Sequence, residues 1–237
     1  MTIDNTGERI LLEKETPSMI ARHFFAYKFA GRYAKGKNIL DIACGEGYGS
    51  DYLSKTAKYA IGADCDSPAV EYAGSKYIRD NLKFIRQDAC KLEFPDSKFD
   101  LVCSFQTVEH IPDPGKFLSE IKRVLSGQGI LIISTPNIKD SSPKSIRPLN
   151  KYHVKEYACQ EFEQFLRSYF RRVKIYGLKR VFRHNFFRRL KKSGLLQWLP
   201  EPLNPVSKFF ASVTPADFLL TDADIDSSLD FIAVCEK

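Results

Sequence analysis

Residues 39–49 read Ile-Leu-Asp-Ile-Ala-Cys-Gly-Glu-Gly-Tyr-Gly, and this stretch constrains the fold more than any other. A short apolar run ends in Asp41, glycines follow at 45, 47 and 49, and the residues after them have helical character. Glycine has no Cβ and tolerates positive φ, so such a loop lets a ligand lie against bare backbone. A dinucleotide-binding loop would read Gly-x-Gly-x-x-Gly and offer its helix N-terminus to a pyrophosphate. Here the spacing is Gly-x-Gly-x-Gly after an acid. Asp41, at the end of the run, is placed to meet a cation, which favours a ligand with a positive amino or sulfonium group over a diphosphate.

The chain around this loop alternates between two periods. Apolar residues at helical spacing, among them Ile20, Phe24, Tyr27 and Tyr33, predict a helix over 17–35 that ends at Gly36. Strands are expected at 38–42, 58–64, 82–86, 99–105 and 130–134. Helices are expected at 48–56, from Ser67-Pro68 onward, and at 114–125, the last broken by Gly127 and Gly129. This alternation predicts an α/β fold: a Rossmann-like, mostly parallel sheet with helices on both faces and a ligand at the carboxyl ends of the strands. After Pro136 the pattern changes. Residues 136–151 read as loop, 159–169 as helix, 172–178 as strand, and 229–235 as the last strand. The expected organisation is an N-terminal helical cap over 1–36 and one domain over 37–237, carrying a basic and aromatic insertion at about 179–226.

Charge is unevenly distributed. The net charge is +7, yet residues 167–192 alone hold eleven Lys or Arg and no acid, leaving a net −4 elsewhere. No apolar run reaches the roughly 18 residues needed to span a bilayer. The N-terminus lacks the basic and apolar regions of a signal peptide. None of the six cysteines forms a Cys-x-x-Cys pair, so a reduced cytoplasmic protein without a zinc site is expected.

Beyond the glycine loop, the motifs include Asp64, Gln87-Asp88-Ala89, Phe99-Asp100-Leu101-Val102, Val108-Glu109-His110-Ile111-Pro112-Asp113-Pro114 and Arg123-Val124-Leu125 with Gly129. In this order and spacing the chain resembles the class I S-adenosylmethionine-dependent methyltransferases over about residues 20–178 and the last strand. Ser134-Thr135-Pro136-Asn137, the run Asn150 to Tyr157 and the run His23 to Ala30 resemble bacterial small-molecule methyltransferases associated with glycan assembly. That group commonly has Glu where this chain has Gln106. The resemblance implies a seven-stranded sheet with an antiparallel last strand, S-adenosyl-L-methionine as cofactor and S-adenosyl-L-homocysteine as product.

Roles follow residue by residue. Asp41 would anchor the amino group of the methionine part, directly or through water. Gly45 and Gly47 would admit the ligand, with Gly49 serving helix–strand packing. Asp64, 19 residues after Gly45, would accept from the ribose hydroxyls. Asp66 competes for that role or caps the next helix. Cys65 either packs on the adenine edge or fills space. The resemblance assigns Asp88 to the adenine amino group and the Ala89 N–H to a ring nitrogen. Phe105 faces the methionine part or packs in the core. His153, ahead of His110, is the candidate base for an attacking hydroxyl. Glu109 is read as orienting, and His23 and Tyr27 either close the pocket or pack the first helix.

The expected reaction is methyl transfer to a small acceptor, with a sugar or glycan-precursor hydroxyl favoured. An amine acceptor, an RNA acceptor and a non-catalytic cofactor-binding protein are the rivals. RNA modules usually add an aromatic platform, and none is visible, so nucleic acid is not the expected partner. Within 179–199, Phe182, Phe186 and Leu190 recur every four residues among Arg and Lys. That composition suits an interfacial helix resting on anionic membrane, contact with a lipid-linked sugar, or a solvated face. Nothing in the sequence sets a metal requirement or an oligomeric state.

Overall fold

Short apolar runs and amphipathic stretches assemble into one layered sheet in the computed structural model, which describes residues 10–143, 145 and 147–237. The first nine residues of the expected cap lie outside these. The strands are β1 (Asn38–Ile42), β2 (Tyr59–Asp64), β3 (Leu82–Arg86), β4 (Phe99–Phe105), β5 (Leu125–Pro136), β6 (Arg172–Arg180), β7 (Phe218–Thr221) and β8 (Asp230–Glu236). The helices are α1 (Pro17–Ala34), α2 (Tyr48–Ser54), α3 (Ser67–Lys76), α4 (Pro114–Val124), α5 (Ile138–Ser141), α6 (Cys159–Arg167), α7 (Phe182–Ser193) and α8 (Pro205–Ala211).

The sheet has the order β3-β2-β1-β4-β5-β8-β6-β7. Strands β1 to β5 pair in parallel, β8 runs antiparallel to both β5 and β6, and β7 runs antiparallel to β6. The chain leaves β1 toward β2 and β3, then crosses to β4 on the other side. That reversal opens a crevice at the carboxyl end of β1, where ligands of such sheets bind.

Both faces are covered, which is why the strands read as continuous apolar runs rather than alternating ones. Leu40, Ile42, Val102, Leu131 and Ile133 point to one face, with Phe117 and Ile121 of α4 and Phe162 of α6. Ile39, Leu101, Cys103 and Ile132, one residue out of step, point to the other, with Phe29 and Ala30 of α1 and Leu53 of α2.

The mostly parallel architecture and antiparallel last strand are as expected, and three details differ. β5 begins directly after α4, at Leu125, rather than beyond Gly129. A register shift between Phe99 and Leu101 accommodates the two glycines inside the strand. The stretch after Pro136 contains the short α5, started by the Asn137 side chain, which accepts from the Lys139 N–H. Strand β7 lies within the insertion and makes the sheet eight-stranded; a four-residue edge strand leaves little periodicity to read. Among the described residues, no helix is long and apolar enough to cross a membrane.

Helix α1 lies on α2 at closest approach over Gly49. A Cβ there would come within 2.0 Å of the Tyr27 ring, so Gly49 serves the α1–α2 contact rather than helix–strand packing. Gly49→Ala is expected to lower stability by about 1–3 kcal/mol. In thermal denaturation this is a fall of about 2–4 °C per kcal/mol for a chain of this size. An unchanged midpoint would show that Tyr27 does not seat on Gly49.

Candidate functional site

The loop after β1 turns sharply. Ala43, Gly45 and Gly47 all have positive φ, at 57°, 54° and 89°. The Gly45 N–H donates to one Asp64 carboxylate oxygen at 2.9 Å, and the Asp66 N–H donates to the other at 3.0 Å. Asp64 therefore ties together the loops that follow β1 and β2. The Asp66 carboxylate instead accepts from the Ala69 N–H and caps α3, while Asp64 lines the crevice.

A cavity of about 380 Å³ opens above this knot. Gly45, Asp64, Cys65, Asp88, Ala89 and Phe105 line it, together with Tyr27 and His23 from α1 and His110. Asp88 accepts from the Cys90 N–H at 2.8 Å, which fixes the loop after β3. Phe105 meets the Tyr27 ring edge-on at 4.7 Å between centroids. Among the described residues no Lys or Arg lines this cavity, whereas Glu46, Asp64 and Asp88 do. Among the described residues the wall suits a cationic ligand better than a pyrophosphate.

Two expected ligand-contacting residues are not on that wall. Asp41 is 1% exposed and sits behind it, accepting from Ser50 Oγ at 2.6 Å and Tyr27 Oη at 3.4 Å. Burial pushes Asp41 up to about 7. Tyr27 lines the cavity in front of Asp41 and does not line the second compartment described below. Gly47 is also set back. A Cβ there would lie 2.7 Å from Ala73 and 2.8 Å from Phe84, so its role is packing, with positive φ.

A second compartment of about 280 Å³ adjoins the first, and His23, Gln106 and His110 line both. Gln106 holds a positive φ of 52° at the end of β4. Its N–H donates to the Ser134 carbonyl at 3.1 Å and its Nε2 to Ser134 Oγ at 3.2 Å, which secures a conformation that costs a non-glycine residue free energy. Arg22, Glu109, Asn150, His153 and Glu156 complete the polar wall. Burial, and then the Arg22 charge, push His23 down to about 4, leaving it neutral near pH 7.

The two candidate bases meet here, ring centroids 4.8 Å apart. His110 Nδ1 lies 3.0 Å from the Tyr152 carbonyl, which can only accept, so Nδ1 carries a proton. His153 is engaged at both nitrogens. Its Nδ1 donates to Glu156 at 2.6 Å and its Nε2 accepts from the Asn150 amide at 2.9 Å. The Asn150 orientation is set by its oxygen, which accepts from the Tyr152 N–H. Glu109, His110 and His153 have ligand atoms within 4.8 Å of one another, a group that by atom type could ligate a cation. Both His153 nitrogens are engaged by Glu156 and Asn150.

Arg22, Gln106, Asn150 and Glu156 have no role in the sequence reading. Arg22 pairs with Asp230, 208 residues away, and no local pattern announces such a partner. Asn150 and Glu156 carried a signal: their spacing around His153 is that of a turn whose side chains fold back on one imidazole.

Comparison with known proteins follows the geometry. The chain matches the family described as a methyltransferase domain over residues 40–133. It is 32% identical to a probable S-adenosylmethionine-dependent methyltransferase of Mycobacterium tuberculosis, covering 98% of this chain and 89% of that one. A fatty-acid O-methyltransferase of Mycolicibacterium smegmatis is 31% identical over 48% of this chain and 43% of its own. The fold is similar to the crystal structure of an S-adenosylmethionine-dependent methyltransferase from Mesorhizobium loti, with TM-score 0.59, 16% identity and coverage of 90% and 98%.

Glu109 is the most constrained titratable group of the second compartment. It is 0% exposed; Oε2 accepts from Thr135 at 3.1 Å and Oε1 has no hydrogen-bond partner among the described residues. Burial pushes it from 4.5 up to about 8, so the folded protein holds a proton there that the unfolded chain releases. The associated stability is complete below the unfolded value and is lost as pH rises toward 8. Glu109→Gln keeps the shape and cannot ionise. Its stability relative to wild type is expected to rise between pH 5 and 8, by at most about 1.4 kcal/mol per pH unit. Urea denaturation at three pH values measures this, and parallel pH profiles for the two proteins would refute it.

Proposed function

The chain belongs to the S-adenosylmethionine-dependent methyltransferases, and from that premise we propose that it methylates a hydroxyl of a small polar acceptor, a sugar or glycan precursor, held beneath α1. The observation that carries this reading is the second compartment. It shares walls with the first cavity, and among the described residues its lining is dominated by hydrogen-bonding and charged side chains, with Ile10, Met19 and Pro136 the apolar ones. The relatives include a fatty-acid O-methyltransferase. An acyl chain would need a longer apolar wall than these three residues supply.

The residues present fit S-adenosyl-L-methionine. The first cavity has carboxylates at the ends of β2 and β3, bare backbone at Gly45, and no cationic side chain among its described walls. In the proposed roles Asp64 accepts from the ribose diol and Asp88 from the adenine amine. The Ala89 N–H meets a ring nitrogen, Cys65 lies at the adenine edge, and Phe105 lies beside the methionine part. The bound cofactor supplies a methyl group on a positively charged sulfur, an activated leaving group.

What the chain adds is alignment, desolvation and proton removal. Holding two reactants in line can supply about 7–11 kcal/mol in favourable cases. An alcohol is a poor nucleophile and gains from a base. His110 is the better placed imidazole, because it lines both cavities and its Nδ1 is held by the Tyr152 carbonyl. His153 then acts as a positioning residue, held by Glu156 and bracing the turn that carries the Tyr152 carbonyl. Glu109, neutral, orients the same turn through its carbonyl, which accepts from Val154 and Lys155.

The exposed Phe182, Phe186, Leu195 and Trp198 beside the basic residues of α7 support peripheral contact with an anionic membrane. Sedimentation with anionic vesicles at low and high salt is expected to show salt-sensitive binding; no binding at low salt would remove the contact.

The test of the main reading uses labelled methyl donor and a panel of sugar, amine and RNA acceptors. Transfer to a sugar hydroxyl is expected. His110→Ala is expected to lower kcat by about 10²–10⁴-fold with cofactor affinity within about threefold of wild type. Transfer to amines alone, with turnover indifferent to His110, would overturn it.

A further inference from the structure

The basic segment contains two kinds of cation. Lys179 pairs with Asp224 and Arg183 with Asp217, as charges on a solvated face commonly do. Arg180, Arg188 and Lys192 have no carboxylate within ion-pair distance among the described residues, yet they converge. With Arg22, Lys191 and His184 they line a pocket of about 370 Å³ between the start of α1, the end of β6 and α7. Arg22 is already matched by Asp230. Among the described residues the others gather positive charge with no carboxylate in direct contact, and Arg180 is only half-exposed. Burial and the Arg188 and Arg22 charges push Arg180 down to about 10. Asp140 and Asp230 offset part of this from a distance, and an anion in the pocket would offset the rest.

Two polar atoms in the same wall lack partners. His184 is 2% exposed and its Nδ1 has no hydrogen-bond partner among the described residues. Ser18 Oγ, buried in the first turn of α1, has none either. Both residues line the pocket. The Ser18 hydroxyl is a donor able to meet an acceptor in the pocket, while the neutral His184 ring is held by the Asp217 backbone. The N-terminus of the 18-residue α1, with no acid in its first turn, adds the positive end of a helix dipole. Cations, hydroxyl donor and helix end all ask for one chemistry, a compact oxyanion with several acceptor oxygens.

Position gives the oxyanion a purpose. Met19 and Arg22 line both this pocket and the acceptor compartment, so the two spaces share a wall of α1. We propose that this pocket binds a phosphate or diphosphate group of the acceptor, so that the molecule methylated is a phosphorylated one whose hydroxyl reaches His110 while its phosphoryl oxygens rest on Arg180, Arg188 and the start of α1. The proposal rests on the methyl-transfer reading, whose acceptor class it names. Guanidinium groups suit the role because their planar fork bonds two phosphoryl oxygens at once.

The phosphoryl group can come from a soluble sugar phosphate or from a lipid headgroup, and the experiment separates them. Full-length protein is titrated by calorimetry with pyrophosphate and, in a separate arm, with S-adenosylhomocysteine. Wild type is expected to bind pyrophosphate. Arg180→Gln is expected to weaken this at least tenfold, with the homocysteine product still bound within about twofold as evidence of an intact fold. The exposed pair Arg188→Gln/Lys192→Gln repeats the test where folding is not at stake. With a phosphorylated sugar acceptor, KM should rise at least tenfold in these variants while kcat stays within about threefold. A parallel arm uses phosphatidylglycerol vesicles. Vesicle binding that depends on Arg180, together with pyrophosphate binding, assigns the source to a lipid-linked phosphate. Vesicle binding that survives the substitutions, with no heat from pyrophosphate, overturns the pocket in favour of a plain surface contact. Equal pyrophosphate affinity in all variants overturns it as well. Absence of homocysteine-product binding would instead defeat the methyltransferase reading, independently of the phosphate result.

Discussion

The buried ion pair between Arg22 and Asp230 is the contact on which the functional half of the molecule depends. It joins the middle of α1 to the start of β8, two elements separated by 208 residues, and both side chains are largely withdrawn from water. Breaking such a pair by removing one partner typically costs about 3–5 kcal/mol, because the remaining charge stays buried. With it in place, α1 lies across the carboxyl ends of the strands. Its successive turns then contribute Ser18, Met19 and Arg22 to the cationic pocket, Met19, Arg22 and His23 to the acceptor compartment, and His23 and Tyr27 to the cofactor cavity. One helix thereby walls three spaces, and its docking sets their distances from each other.

Charge is sorted along that helix. The cofactor cavity is acidic and without described Lys or Arg, the middle compartment is polar with hydrogen-bonded imidazoles, and the outer pocket is strongly cationic. Such a gradient would orient a cationic donor at one end and the proposed anionic acceptor at the other before any chemistry begins. Buried acids tune the interior further. Asp41 and Glu109 are both pushed up in pKa by desolvation, so neither brings a full negative charge into the packed interior near neutral pH.

The parallel sheet was legible because its signal is local. A five- or six-residue apolar run bounded by a turn, repeated with amphipathic helices between, leaves few arrangements open, and strands 38–42, 82–86 and 99–105 have the boundaries read from the pattern. The glycine loop was legible in type but not in the division of labour among its members. Gly45 faces the cavity, while Gly47 and Gly49 make room for Phe84 and Tyr27, and that distinction depends on neighbours brought in from other elements. Strand β7 escaped because four residues at a sheet edge are paired by register with β6 rather than by their own periodicity.

The sequence by itself determined the class of fold, the crevice where such sheets bind ligands and two acids on its wall, Asp64 and Asp88, since strand ends, turns and caps are encoded within a few residues of one another. Tertiary structure alone decided which histidines line both cavities, which aspartate is hidden behind Tyr27, and which cations of the basic segment have no carboxylate in direct contact among the described residues. Those outcomes hang on burial and on hydrogen-bond partners such as Tyr152 for His110 and Asp230 for Arg22. Neither quantity exists until residues far apart in the chain are packed together, and so neither leaves a mark in the order of the amino acids.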